Sequence, residues 1–330
     1  MKTIVMGVDG GGSKTQAVIV DQNGKILGKG HSGCSNYQVN GITQALTNIR
    51  EAISHAMKEA DITYNGISFV QYGLAGADRE KDIRLLETAL ATLPFPKWNL
   101  VCDTMEGLRL GSSSNTGVVL VCGSGTNAAG RNQEGMVVQT GGFGYLYGDG
   151  AVGGNALAVE AFRSAIRSWE LREIPSILTQ RIPHYFGFNS MEEMWNQFLD
   201  DGLTKVTGDL AIVLHEAAMD GDQLSIRILK QMGQELGRAA SSVIKRLGSL
   251  PAPIPIILTG SVLQKGKNPA VFDSIKKTIE NEGYTIELII PEMQPVFGAV
   301  LLARDQLELP TTLDVISQME KGWRYYEERA

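Results

Sequence analysis

TIVMGVDGGGSKTQAVIVDQNGKILG, residues 3–28, is the most informative stretch of this 330-residue chain. It contains three short apolar runs, which are separated by Gly10–Gly12 and by Asp21–Gly24. Each run has the length of a β-strand, and the Asn-Gly dipeptide at 23–24 is a strong turn signal. The stretch therefore predicts three strands joined by tight turns, the first of them rich in glycine.

The rest of the first 115 residues alternates between helix and strand patterns. Apolar residues recur every three or four positions from Ile42 to Met57, which indicates one face of a helix. The pattern further predicts strands at 67–72 and 98–102 and helices at 79–93 and 104–110. We therefore expect a first α/β domain over 1–115, with a C-terminal helix at 309–330 packed back on it.

The glycine-rich turn recurs in the second half of the chain. An offset of 111 positions aligns Gly12, Ser13 and Thr15 with Gly123, Ser124 and Thr126. The same offset aligns Ala17, Gln22 and Gly24 with Ala128, Gln133 and Gly135. This favours a duplicated unit. We expect a second domain over 116–308, with a helical insertion at about 153–247 and a strand, helix, strand and helix after it.

Composition excludes several classes of protein. With 43% hydrophobic and 20% charged residues, the chain can bury the cores of two domains, so a disordered protein is excluded. A net charge of −6 without any lysine or arginine block argues against a nucleic-acid or membrane-surface partner. Cys34, Cys102 and Cys122 are too widely spaced for a disulfide framework or a zinc site. No leader or membrane-spanning pattern is visible, so we expect a cytoplasmic protein.

Two loops of Gly, Ser and Thr are candidates for phosphate binding. Such loops bring several backbone N–H groups into one concavity, with hydroxyl groups beside them. The loops Gly10–Thr15 and Gly123–Asn127 occupy equivalent places in the duplicated unit. A pseudo-twofold arrangement would place them on either side of a cleft, where they could bind a polyphosphate. For either loop alone, glycines that merely permit a tight hairpin are the alternative.

Carboxylates at the ends of predicted strands are candidates for the chemistry. Asp9 precedes the first glycine loop, where it could approach Mg²⁺ beside phosphates or cap its own turn. Asp103 follows the strand at 98–102, where it could accept a proton from a substrate hydroxyl or cap the next helix. Asp149 has the same ambiguity. It lies near Gly141–Gly144, which offers backbone groups and one aromatic face to a ligand such as a sugar.

These motifs together resemble the BadF/BadG/BcrA/BcrD ATPase family, and within it the N-acetylglucosamine kinase branch of the actin, heat-shock chaperone and sugar kinase superfamily. The resemblance is carried by GVDGGGSKT (7–15), GCSN (33–36), CDTMEG (102–107), GSGTNA (123–128), GGFGYLYGDG (141–150) and LTGSV (258–262). It implies two duplicated actin-like (ribonuclease H-like) ATPase domains. It also implies a kinase that uses ATP and Mg²⁺ to phosphorylate the 6-hydroxyl of an amino sugar, with N-acetylglucosamine as the expected substrate. We also expect a homodimer.

The resemblance implies a role for each matching residue. Asp103 would be the general base and Asp9 the Mg²⁺-associated carboxylate. The positions expected to bind ATP are Gly11, Gly12, Ser13, Lys14 and Thr15 in the first loop, Gly123, Ser124, Gly125 and Thr126 in the second, and the turn Gly260–Ser261. The positions expected to bind the sugar are Asn36, Asp103, Asn127, Gly142 and Asp149.

Departures from the family pattern leave the sugar open. Phe143 stands where the family often has tryptophan, and residues 148–152 read GDGAV instead of GDEGS, so that Gly150-Ala151 replaces Glu-Gly. Glucosamine, N-acetylmuramic acid and glucose are therefore alternative substrates. An ATPase that activates a radical dehydratase is the main rival function, although it would hold an iron–sulfur cluster on cysteines. A DNA-binding sugar sensor and a nucleotide-driven chaperone lack their expected sequence patterns here.

Overall fold

A computed structural model describes residues 2–202 and 205–327. Within these ranges the strands are β1 Ile4–Gly10, β2 Thr15–Asp21, β3 Ile26–Ser32, β4 Phe69–Leu74, β5 Trp98–Val101, β6 Gly117–Cys122, β7 Thr126–Arg131, β8 Val137–Thr140, β9 Ile254–Thr259 and β10 Ile286–Ile289. The helices are α1 Tyr37–Asn40, α2 Ile42–Ala60, α3 Glu80–Leu90, α4 Thr104–Gly111, α5 Gly154–Trp169, α6 Leu178–Tyr185, α7 Met191–Asp200, α8 Leu210–Met219, α9 Gln223–Leu247, α10 Ser261–Gly266, α11 Pro269–Glu280, α12 Pro295–Gln306 and α13 Leu313–Glu327.

The chain divides into two compact units. One comprises Met1–Asn115 and Pro291–Ala330, and the other comprises Thr116–Ile290. The sequence placed the first change of domain at the same position but the second at 308, so α12 was expected in the second domain. The structure places α12 in the first unit, because Val296, Phe297 and Val300 join the apolar cluster on one face of its sheet.

The first unit is built on a five-stranded sheet of order β3-β2-β1-β4-β5. The strands β1, β2 and β3 form an antiparallel meander, whereas β4 and β5 run parallel to β1. Alternate side chains of β1 point to opposite faces. Met6 and Val8 therefore pack in the cluster under α2 and α3, while Val5 packs with α12 and α13. Both faces of the sheet are covered by helices.

The second unit repeats this plan in the order β10-β9-β6-β7-β8. Again the first three strands form an antiparallel meander and the last two run parallel to the first of them. The strand pairing of the two sheets thus corresponds one to one, as the duplicated motif predicts. Between β8 and β9, the described residues form the five helices α5–α9 and no strand, and their apolar side chains belong to one large core cluster.

None of the described helices is both long enough and apolar enough to cross a membrane.

Candidate active site

Asp9 and Asp103 lie at the same edge of the first sheet. Asp9 is next to last in β1, where its backbone pairs with Gln16 on β2 and with Gly73 on β4. Asp103 follows β5 and immediately precedes α4. Because β1, β4 and β5 are parallel, their carboxyl ends meet at one edge, where ligands of open α/β sheets bind. The two side chains are close enough for the charge of Asp103 to raise the pKa of Asp9.

A third carboxylate at this edge belongs to Glu106, which the sequence pattern did not indicate as a site residue. Glu106 lies in the first turn of α4 and its side chain is fully buried. It lies over Gly73, since a Cβ atom built on Gly73 would be only 2.0 Å from Glu106 Oε1. Gly73 is the strand neighbour of Asp9. The absence of a side chain at Gly73 therefore lets Glu106 lie beside Asp9.

Burial is the largest cause of a raised pKa at all three carboxyl groups. It raises the pKa of Asp9 to about 7, with Asp103 adding to the effect and the positive charge of Lys14 opposing it. Burial also raises the pKa of Asp103, although the hydrogen bond from Cys102 opposes this change. The pKa of Glu106 is raised well above its usual value by burial and by the charges of Asp9 and Asp103. A carboxylate with a raised pKa is a better proton acceptor near neutral pH.

The environment of Asp103 fits a proton acceptor better than a helix cap. Asp103 occupies the N-cap position of α4, but its side chain makes no capping hydrogen bond. Its backbone is helical, with φ −53° and ψ −27°, whereas N-cap residues are typically extended. Cys102 Sγ donates to Asp103 Oδ1 at 3.2 Å. Asp103 is half-buried as a residue.

The first glycine loop is the tip of the β1–β2 hairpin. The Gly11 N–H donates to Lys14 O at 2.9 Å, and Gly11 O accepts from the Ser35 N–H at 3.1 Å. The amides at 12, 13 and 14 donate to no residue in the described ranges, and these three residues are exposed. Successive unpaired N–H groups of this kind suit phosphate oxygens.

Thr15 differs from the rest of the first loop. Its side chain is fully buried, and its hydroxyl donates to Gly33 O at 2.7 Å. The structure therefore gives Thr15 a structural partner, because its side chain points away from the exposed tip of the hairpin. Its hydroxyl anchors the hairpin to the segment that leads to Asn36.

The second glycine loop has its carbonyl groups occupied and two amides unpaired. The Gly123 N–H donates to Gly125 O at 2.9 Å. Gly123 O and Ser124 O accept from the N–H groups of Gly154 and Asn155 at 2.7 and 3.2 Å. These two donors belong to the first turn of α5, whose amides have no partner within the helix. The amides of Ser124 and Gly125 donate to no described residue, and both residues are exposed.

The Gly260–Ser261 turn lies against the start of the second loop. Gly260 has φ +88°, a conformation that favours glycine, and a Cβ atom there would be 2.4 Å from Cys122 O. Cys122 immediately precedes Gly123, so the turn and the loop are neighbours within the second unit. Ser261 begins α10 and is exposed.

Three expected sugar-binding residues meet within the second unit. Asp149 Oδ1 and Oδ2 both accept from the Gly142 N–H at 3.1 Å, and Oδ2 accepts from the Gly144 N–H at 2.5 Å. These bonds close the loop 141–149 on itself. Asn127 and Asp149 line a cavity of about 300 Å³, together with Phe143 and Arg238. Asn127 Oδ1 is buried without a partner, so it can accept a hydrogen bond from a ligand.

Asn36 lies in the first unit, at the start of α1. Its Oδ1 accepts from the Gln38 N–H at 2.9 Å, which caps the helix. The next residue, Tyr37, donates its hydroxyl to Asp82 Oδ1 at 2.5 Å. Arg79 Nε and Nη2 donate to the same carboxylate at 2.7 and 3.0 Å. Asp82 therefore anchors the helix that presents Asn36.

We expect Asp82→Asn to destabilise the protein in a pH-dependent manner. Burial opposes ionisation of Asp82, but the hydrogen bonds from Arg79 and Tyr37 outweigh it and hold the pKa below its usual value. Such a group stabilises the fold above its unfolded pKa of about 3.9, and this contribution is lost as the pH falls through the lower folded value. Urea unfolding should show the variant less stable than the wild type at pH 7, with the difference shrinking below about pH 4. An equal difference at both pH values would contradict this.

The carboxylates at the edge of the first sheet fit a magnesium ion in part. No group of three or more His, Cys, Asp and Glu side chains suited to a metal ion exists within the described chain. Mg²⁺ commonly needs fewer protein ligands, because it keeps several waters and binds one or two carboxylates plus substrate phosphates. Both carboxylate oxygens of Glu106 are buried and accept from no donor group of the described chain, and the side chain lies within hydrogen-bond reach of Asp9. This donor set suits such a cation.

Burial favours the protonated thiol at two of the three cysteines. Cys34, Cys102 and Cys122 are all free thiols. Cys122 is buried in β6, whereas Cys102 lies directly after β5 and not inside the strand as the sequence predicted, because β5 ends at Val101. Burial raises the pKa of Cys122 to about 12 and that of Cys102 well above its usual value. Without a metal, the protonated thiol is therefore favoured at both positions.

Comparison with known proteins gives relatives over nearly the whole chain. The N-acetylmuramic acid/N-acetylglucosamine kinase of Clostridium acetobutylicum is 28% identical over 306 residues, which cover 92% of this chain and 99% of that protein. The N-acetyl-D-glucosamine kinase of Dictyostelium discoideum is 28% identical over 315 residues, which cover 92% of this chain and 98% of that protein.

Solved structures confirm the predicted fold class of two actin-like domains. A protein of Chromobacterium violaceum, named as a candidate N-acetylglucosamine kinase, has a TM-score of 0.67 at 22% identity and covers 91% of this chain and 99% of its own. A ROK family glucokinase from Streptomyces griseus, in complex with glucose and AMPPNP, has a TM-score of 0.54 at 18% identity. The match covers 92% of this chain and 98% of the glucokinase chain. The model of the BadF/BadG/BcrA/BcrD ATPase family matches residues 6–303. The chain therefore belongs to the BadF/BadG/BcrA/BcrD ATPase family.

Proposed function

We propose that the protein is an ATP-dependent kinase that transfers the γ-phosphate to the 6-hydroxyl of an amino sugar, with N-acetylglucosamine as the preferred substrate. Two relatives that match nearly the full chain are kinases of N-acetylated amino sugars. The observation that carries the proposal is Asp103, a half-buried carboxylate with a raised pKa that makes no capping bond at the ligand-binding edge of its sheet. A kinase needs such a proton acceptor beside its substrate hydroxyl.

The two glycine loops have the role of binding the phosphates of ATP. In the first loop, the amides at 12–14 donate to phosphate oxygens, and the Lys14 side chain adds positive charge. In the second loop, the amides of Ser124 and Gly125 do the same, while Gly260–Ser261 contacts the adenosine. The unpaired amides support this assignment, because phosphoryl transfer depends mainly on positioning and charge stabilisation.

Asp103 acts as the general base. Its carboxylate accepts the proton of the sugar hydroxyl as the oxygen attacks the γ-phosphorus. A bond forms between that oxygen and the phosphorus, and the bond from the phosphorus to the bridging oxygen breaks, which releases ADP. Burial favours this role because it raises the proton affinity of the carboxylate. Asp9 would hold Mg²⁺, which when bound neutralises charge on the phosphates.

The sugar contacts Asn127 and the loop that Asp149 organises. The unpartnered Asn127 Oδ1 accepts from a hydroxyl or N–H group of the ring. Asp149 shapes the loop through Gly142 and Gly144, and Asn36 contributes from the start of α1. Alternative substrates are glucosamine, N-acetylmuramic acid and glucose. A homodimer and a cytoplasmic location remain predictions from the sequence.

A coupled ADP-release assay on these four sugars tests the function and ranks the substrates. We expect little ATP consumption without sugar and the highest kcat/KM with N-acetylglucosamine, because the amide group of this sugar matches the polar lining around Asn127. Omission of Mg²⁺ is the control for true turnover. ATP hydrolysis that no sugar stimulates would contradict a kinase and would favour the rival ATPase function.

A further inference from the structure

Glu106 differs from every other buried acid in the described ranges. The others are Asp21, Asp82 and Asp222, and each accepts hydrogen bonds from backbone or side-chain donors. Glu106 is fully buried as well, but no donor group of the described chain bonds to its carboxylate oxygens, and its one hydrogen-bond neighbour is the carboxyl group of Asp9. Buried carboxylates in proteins are paired with donors or coordinate a metal. Glu106 therefore has only another acid, and no donor side chain, backbone N–H or cation, beside its buried carboxyl group.

The packing of α4 directs the Glu106 side chain towards Asp9. A Cβ atom on Gly298 of α12 would lie 2.2 Å from Glu106 O, so the glycine lets the two helices approach and holds the backbone of Glu106 in place. The side chain then extends over Gly73, whose missing Cβ provides the space for the carboxylate. Because Gly73 pairs with Asp9, the carboxylate ends beside the residue assigned to Mg²⁺.

The titratable groups around Glu106 are acidic. The groups that act on its carboxyl are Asp9 and Asp103, and both are acidic. Lys14 is the cation that acts on Asp9, but it lies at the exposed tip of the hairpin. A divalent cation next to Asp9 would provide the opposite charge that this group of side chains lacks.

We propose that Glu106 joins Asp9 as a second carboxylate ligand of the divalent cation that accompanies ATP. The inference rests on the proposed function in one respect, namely that ATP brings the cation to the site. The carboxylate pair itself should bind a cation without any sugar. Hard oxygen ligands suit both Mg²⁺ and Mn²⁺, so Mn²⁺ can serve as the probe.

Binding of Mn²⁺ to the full chain tests the inference. It is measured from the electron paramagnetic resonance signal of free Mn²⁺, with and without ADP. We expect Glu106→Gln to weaken Mn²⁺ binding by about 10-fold or more, since loss of groups that support a metal commonly costs 10–100-fold in affinity. Asp9→Asn should have a similar effect. The matched control is Glu87→Gln, because Glu87 is an exposed glutamate on α3 of the same unit. Wild-type Mn²⁺ affinity in Glu106→Gln would overturn the inference.

Thermal unfolding gives a second readout that does not depend on turnover. In EDTA, Glu106→Gln should unfold at a higher temperature than the wild type, because it replaces a buried acid beside Asp9 and Asp103 by a neutral amide that can donate to Asp9. Mn²⁺ should raise the unfolding temperature of the wild type and have much less effect on the variant. If neither ADP-free nor ADP-bound wild type is stabilised by millimolar Mn²⁺, the inference is wrong, whether or not the variant folds.

Gly73→Ala tests the position of the Glu106 carboxylate independently of a change at Glu106 itself. Its methyl group would occupy the position now taken by Glu106 Oε1 and displace the carboxylate from Asp9. We expect the same loss of Mn²⁺ affinity as in Glu106→Gln, and unchanged affinity would count against the inference.

The result can be separated from the test of the kinase function. An active sugar kinase whose Glu106→Gln variant binds Mn²⁺ normally would refute only the role of Glu106. A protein that phosphorylates no sugar but loses Mn²⁺ binding in that variant would refute only the kinase function.

Discussion

Asp103→Asn should lower the turnover number by about 10²–10⁴-fold, the usual contribution of a general base. Asparagine has nearly the same shape but cannot accept the proton of the sugar hydroxyl. The side chain makes no capping bond to α4, and the amide oxygen of asparagine can still accept from Cys102 Sγ, so we expect the variant to fold. The ATP affinity should therefore stay close to that of the wild type.

Steady-state kinetics at saturating sugar and calorimetric titration with an ATP analogue measure these two quantities. The matched control is Asp61→Asn, since Asp61 is exposed in the same unit and adopts a left-handed conformation that asparagine tolerates. A turnover number for Asp103→Asn close to that of the control would refute the assignment of Asp103 as the base. A parallel loss of ATP binding would indicate a structural role instead.

Asp149→Asn should reduce kcat/KM for the sugar by about 10–100-fold. Both oxygens of Asp149 accept from the Gly142 N–H, and one also accepts from the Gly144 N–H. Asparagine replaces one acceptor by an NH₂ group that faces these donors. Hydrogen bonds to charged groups contribute roughly 1.5–3 kcal/mol, and each 1.4 kcal/mol corresponds to a factor of about ten. The loop that lines the cavity beside Asn127 should lose its order.

We expect Asp149→Asn to lower kcat/KM for the sugar without changing the KM for ATP. The second glycine loop makes no hydrogen bond to Asp149 in the described part of the chain, so the KM for ATP should change little. Asp273→Asn is a suitable control, because Asp273 is an exposed aspartate on α11 of the same unit. A variant with wild-type sugar kinetics would show that the closed loop is not needed for substrate binding.

Most of the fold could be predicted from the sequence because its strands are short, apolar and bounded by turn residues. The pattern predicted β1 to β5 and the long helix α2 to within a few residues. It missed α1 and α10, which have only four and six residues and are too short to show a helical period.

The placement of α12 could not be predicted for a different reason. Residues 296–304 are all buried, so the helix has no polar face that would reveal a direction of packing. Its helical character was visible in the sequence, but the sheet that it covers was not. A helix that is apolar on all sides indicates burial without indicating its partner.

In the candidate site, too, the residues marked by a local sequence pattern were predicted, and the residue placed by contacts between distant segments was not. The sequence predicted Asp9 and Asp103 as candidates because the ends of parallel strands meet at one edge, and the structure brings these residues together. It did not indicate Glu106, because an acid in the first turn of a helix is common. Only the register of β1 against β4 shows that Gly73 leaves space for Glu106 beside Asp9.

Transfer of phosphate from ATP to a sugar hydroxyl is tested most directly by ³¹P and ¹³C nuclear magnetic resonance of the product. We expect one ADP for each N-acetylglucosamine consumed, with the new phosphorus signal coupled to C6 of the sugar. Release of inorganic phosphate with the sugar unchanged would contradict the account.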